Sequence, residues 1–86
     1  MIRVLFVDQF FFLCDALATV LADEADIEVV CGVTSVRQAL EFTSECDVIL
    51  INVHMPNDGA MWLIRAISEA DLPVKVLVVG LKESRQ

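Results

Sequence analysis

Apolar positions along this chain fall into short blocks with two alternating periods. IRVLFV (2–7), IEVVCGV (27–33), DVILIN (47–52) and KVLVVG (75–80) are compact runs rich in β-branched side chains, the pattern of strands. Between them the apolar spacing changes to three and four. In FLCDALATVLADE (12–24), Leu13, Ala16, Leu17, Val20 and Leu21 recur at helical spacing. VRQALEFTSE (36–45) puts Val36, Leu40 and Thr43 on one face, with Thr34 or Ser35 available as its cap. Asp58-Gly59 lead into a third helix, AMWLIRAISEA (60–70), with Leu63, Ile64 and Ile67 inward and Leu72-Pro73 at its end.

Strands in strict alternation with helices predict βαβ units and a parallel sheet. The runs 4–7, 48–51 and 76–79 are continuously apolar, as parallel strands covered on both faces are. The second strand carries a polar Glu28 near its start and suits a sheet edge. The predicted class is α/β, one domain over residues 1–86, strand order 2-1-3-4, helices on both faces. In such a sheet ligands gather beyond the carboxyl ends of the strands, where strand order reverses. For this order that point lies between strands one and three. Asp8, Gln9, Asn52 and Gly80 are therefore expected to converge, although they are distant in sequence.

Composition sharpens this picture. The chain has 86 residues, 57% of them hydrophobic, with a mean hydropathy of +0.68. A body this small cannot hide so much apolar surface, which predicts a partner. The net charge of −7, with the six basic residues scattered, excludes a phosphate-tracking face and direct nucleic-acid binding. No uncharged run reaches the ~20 residues of a membrane span. The apolar run after Arg3 stops at Asp8, too early for a signal peptide, and the expected location is cytoplasmic. The three cysteines, Cys14, Cys31 and Cys46, fit no metal template and read as free thiols. No nucleotide loop, metal cluster or nucleophile–base arrangement is present, so neither a cofactor nor an enzymatic activity is expected.

Several segments together carry a resemblance. MIRVLFVDQ, DIEVV, DVILINVHMPNDG and PVKVLVVG are similar, in that order, to the opening strand with its acidic pair, the second strand, the phosphoacceptor strand with its Met-Pro turn, and the fourth strand of one family. The chain resembles the receiver domain of bacterial two-component response regulators of the LuxR/FixJ type. The resemblance implies a flavodoxin-like fold, shortened after the fourth strand. It also implies a helix-turn-helix domain beyond Gln86.

The departures from that pattern are chemical. The acidic pair that holds Mg²⁺ in the family appears as Asp8-Gln9, and the phosphoacceptor aspartate appears as Asn52. An amide offers no anionic oxygen to form an acyl phosphate. The switch Ser or Thr appears as Gly80, the Met55–Gly59 turn is one residue short, and the family's lysine is absent from these 86 residues. The four pocket positions therefore read as a degenerate phosphorylation pocket, with Asn52 and Gln9 as a hydrogen-bonding plug beside Asp8. The expected role is phosphorylation-independent regulation of a transcription factor through dimerisation or protein contact. The alternative is a sensor domain that binds a small molecule in this amide-lined pocket.

Phe10, Phe11, Val76, Val78 and Leu81 are the candidate contact surface: three aromatics in a row cannot all face inward, and the fourth strand would leave an apolar edge. Phe12 is expected in the core, His54 on the surface, and Trp62 in helix packing.

Overall fold

A computed structural model describes residues 1–10 and 12–80. Four strands form one parallel sheet: β1 (Ile2–Val7), β2 (Ile27–Val33), β3 (Val48–Asn52) and β4 (Lys75–Val79). Their order is β2-β1-β3-β4, the order expected of the shortened flavodoxin-like fold. The connecting helices are α1 (Phe12–Ala22), α2 (Val36–Glu41) and α3 (Gly59–Glu69), the last preceded by a single 3₁₀ turn, Pro56–Asp58.

Successive residues of a strand point to opposite faces, and β1 shows how each face is used. Leu5 and Val7 join Ile49, Ile51, Ala39 and Leu63 in the larger core cluster, on the α2–α3 side. Val4 and Phe6 turn the other way, against Cys14, Leu17, Ala18 and Leu21 of α1. Leu5, Val7, Ile49, Ile51 and Leu63 are wholly buried. β2 is an edge strand and Glu28 is exposed, as expected. Its register against β1 slips once: Val4 pairs with Val29 but Leu5 with Cys31. The extra residue, Val30, lets Val30 and Cys31 both pack on the larger cluster while Ile27 and Val29 face α1.

Two helices differ from the sequence expectation. Cys14, Leu17, Ala18 and Leu21 are the residues of α1 that meet the sheet, whereas Ala16 and Val20 are exposed. In a helix this uniformly apolar, spacing does not single out a face and the sheet chooses it. The side chains of Phe12 and Leu13, expected in the core, lie outside the described ones. The second helix was expected to run to 45 but ends at Glu41. There Thr43 turns its hydroxyl onto the Leu40 carbonyl at 3.1 Å, a local bond that competes with helix propagation. Its start is well made: Ser35 Oγ accepts from the Gln38 amide at 3.2 Å, and Gln38 Oε1 accepts from the Thr34 amide at 3.2 Å, a capping-box arrangement shifted by one residue.

The amino-terminal ends of the two central strands are tied by an ion pair absent from the sequence reading. The Arg3 guanidinium donates to both oxygens of Asp47 at 3.2 Å, and the Arg3 amide donates to Asp47 Oδ2 at 2.8 Å. Asp47 in turn donates its own amide to the Arg3 carbonyl at 2.8 Å. The Arg3 side-chain and backbone hydrogen bonds hold the Asp47 carboxyl below the usual carboxylate range. A depressed folded-state pKa contributes stability above the ordinary carboxylate value, and that contribution is lost as pH falls through the folded value. Both side chains are half-exposed, so solvent screens the pair and its contribution is small. Acid titration of stability by circular dichroism should therefore fall less steeply below about pH 4 in Asp47→Asn than in the wild type. Identical acid limbs would show that the pair adds nothing.

Candidate functional site

Val7 is in register with Ile51, which brings the next residues on the two strands, Asp8 and Asn52, to adjoining strand ends. Both are buried, at 3% and 5% exposure, although both are polar. On the other side of β3, Asn52 is in register with Val79, so Gly80 follows one position beyond the same row. Three of the four expected pocket residues thus meet at the carboxyl end of the sheet. Gln9 differs: it is exposed and does not join the buried pair, contrary to the plug expected of Gln9 and Asn52.

The two buried side chains each hold the loop that follows them. Asp8 Oδ1 accepts from the Phe10 amide at 3.3 Å, and Asn52 Oδ1 accepts from the His54 amide at 2.9 Å. These are Asx turns, in which a short polar side chain folds the backbone two residues on. The main chain completes the bracing. Asp8 donates to the Val33 carbonyl at 3.0 Å, Val53 to Val79 at 2.8 Å, and Met55 to Asn52 at 3.1 Å. His54 itself is exposed, as expected.

The turn from β3 into α3 is tight. Asn57 and Asp58 both adopt left-handed backbone, at φ 59° and 54°, which Asn and Asp tolerate better than other non-glycine residues. Gly59 then lets α3 approach α2. A Cβ there would stand 3.1 Å from Met55 Cβ and 3.2 Å from Val36 Cγ1. Gly80 is under no such demand: a Cβ would meet only Val53 Cγ1, at an ordinary 3.5 Å, and its φ is not positive. A Cβ would be tolerated at Gly80, so neither backbone conformation nor a clash at Cβ requires glycine there.

A hard octahedral cation needs several oxygen ligands, carboxylates above all. The buried row offers one carboxylate and one neutral amide, and Gln9 is exposed beside them. Among the described residues, no group of three or more His, Cys, Asp or Glu is placed to hold a metal. The residues present do not fit the Mg²⁺ that receivers carry. Cys14, Cys31 and Cys46 are free thiols, and burial pushes the Cys31 and Cys46 thiols up.

Among the contact candidates, Phe10 is 63% exposed and Val78 44%. Val76 is not available in the same way, since it packs against the larger core cluster. Leu77, which the sequence reading passed over, is 55% exposed. Phe11 and Leu81 lie outside the described residues. A groove of about 360 Å³ lies between the β2–α2 and β3–α3 loops, and none of Asp8, Gln9, Asn52 or Gly80 lines it.

With this geometry, the chain is similar to a solved structure, the signal receiver domain of the response regulator NarL from Mycobacterium tuberculosis. The TM-score is 0.79 at 26% sequence identity, and the match covers 96% of this chain and 68% of that one. The chain has a receiver-type fold. No protein-family model and no curated protein matches the sequence. In this receiver-type domain no described helix is long and apolar enough to cross a membrane.

Asn52→Asp isolates the charge at the centre of the row. The replacement keeps an acceptor for the His54 amide but sets a second carboxylate beside Asp8, where like charges repel. At pH 7 the variant should be about 1–3 kcal/mol less stable than the wild type in urea titrations. Repulsion raises a carboxyl pKa in the folded state, so the penalty is present above that raised value and disappears below about pH 4. A loss that is equal at both pH values would point to packing rather than charge.

Proposed function

We propose that this receiver-type domain regulates without phosphorylation, acting on a transcription factor through dimerisation or contact with a protein partner. The observation that carries the reading is Asn52. The residue at the position that resembles the phosphoacceptor is a buried amide, and its oxygen already accepts the His54 amide. An amide oxygen is not the anionic nucleophile that attack on a phosphodonor needs. Asp8, the remaining carboxylate, has Oδ1 turned onto the loop it precedes.

Two further features support it. Gly80 lacks a hydroxyl although a Cβ would be tolerated there, so a phosphoryl group would find no switch residue to capture. Output would then pass through surface rather than chemistry. Phe10, Val53, Leu77 and Val78 are large apolar side chains at 63%, 48%, 55% and 44% exposure, and they supply contact area. Under this reading the module would govern a helix-turn-helix domain.

Acetyl phosphate with Mg²⁺ should leave the intact mass of the protein unchanged. A phosphoryl adduct on Asp8 or Asn52 would overturn phosphorylation independence. Sedimentation equilibrium over a wide concentration range should show a dimer, weakened when Leu77 and Val78 are both changed to Ser. A strict monomer at high concentration would remove self-association and leave contact with a different protein.

A further inference from the structure

The groove of about 360 Å³ between the β2–α2 and β3–α3 loops is separate from the Asp8–Asn52 row. Its apolar lining comes from Met55, Pro56, Val36 and Trp62. Trp62 is 44% exposed, although the helical pattern suggested packing, so a large part of the indole is open to a second ring. Arg37 stands on the rim with Thr34 and Ser35.

The charge at this rim runs against the rest of the chain. The protein has 13 acidic residues to six basic ones, and Arg3 has taken a carboxylate partner. Arg37 makes no ion pair among the described residues. Its guanidinium offers a planar fork of donors to a carboxylate. Ser35 Oγ is occupied as an acceptor by the Gln38 amide, which leaves its hydroxyl hydrogen to donate.

The two walls are also held in place. The Ser35–Gln38 bonds fix the start of α2, and Gly59 brings α3 within close contact of Val36 and Met55 in that lining. A groove of about 360 Å³ has room for a ligand of one or two fused rings. We propose that this groove is a binding site for a small planar aromatic carboxylate, its ring against Trp62 and its carboxylate on Arg37. Arg37 is exposed and solvent screens it, so the ring contact supplies most of the affinity and the charge selects the ligand.

Trp62 is the chain's single tryptophan, so its indole N–H resonance reports the groove directly. The test titrates the whole chain with β-naphthoate and, in parallel, with its neutral amide. The expected result is a saturable shift of that resonance with naphthoate in the low millimolar range or below. The amide and the Arg37→Gln variant should each bind about two- to fivefold more weakly. Arg65→Gln removes a charge one helical turn from Trp62 but outside the groove lining, and should leave the affinity unchanged. The proposal is overturned by the absence of a saturable shift, by equal binding of acid and amide, or by an unaffected Arg37→Gln. It is also overturned if Arg65→Gln weakens binding as much as Arg37→Gln, since that would reflect general attraction of anions. A shift produced by an acidic pentapeptide but not by naphthoate would overturn it in favour of a protein-docking groove.

Discussion

The pairing of β1 with β3 is the constraint on which the rest of this molecule depends. Val4 to Val7 lie beside Val48 to Ile51, and most of these side chains are buried on one face or the other. Two parallel strands cannot be joined by a tight turn, and each apolar face must be covered. Covering both faces forces α1 to one side and α2 and α3 to the other. Burial of the pair also explains the identity of its ends. At the amino end, the half-exposed Arg3–Asp47 pair aligns the strands where solvent is near. At the carboxyl end, Asp8 and Asn52 are drawn into the interior by the same register.

A buried carboxylate is tolerable only when it is hydrogen-bonded and free of a like charge. Asn52 meets the second condition by being neutral, and the Phe10 amide contributes to the first. The polar row therefore has a structural use that needs neither metal nor phosphate. Its side chains fold the loops after β1 and β3. Under the proposed function, side chains that resemble a phosphorylation pocket serve as loop anchors. The protein's output would then come from shape and surface.

The molecule's surfaces are not equivalent. β4 carries Leu77 and Val78 outward, although its sequence reads like a strand buried on both sides. The α2–α3 side closes more tightly, because Gly59 admits a close approach that any side chain would strain. The groove above that contact combines an open indole with an arginine that has no ion-pair partner among the described residues. Under the two proposals the β4 surface and the groove are different kinds of contact, one for another protein and one for a small anion.

The alternation of periods determined the elements and the parallel sheet, and the order of the strands came with the resemblance to the receiver pattern. β-branched runs and helical spacing are local properties, and each is read from consecutive residues. With that order the pattern also brought Asp8, Asn52 and Gly80 to one end, because sheet order and strand parity suffice for that. Tertiary contact alone decided the rest. The face of α1 depended on the sheet, since nearly every position in that helix is apolar. The exposure of Gln9 beside a buried Asp8 depended on how the loop after β1 turns. The Arg3–Asp47 pair joins residues 44 positions apart, with no local pattern to announce it. Leu77 and Val78 lie on opposite faces of β4 and both are exposed, while Val76 and Val79 pack on the two core clusters, so each position on this edge strand depended on how far the cover extends over it. In each case the outcome depends on what the residue meets across the fold, and a one-dimensional pattern does not contain that.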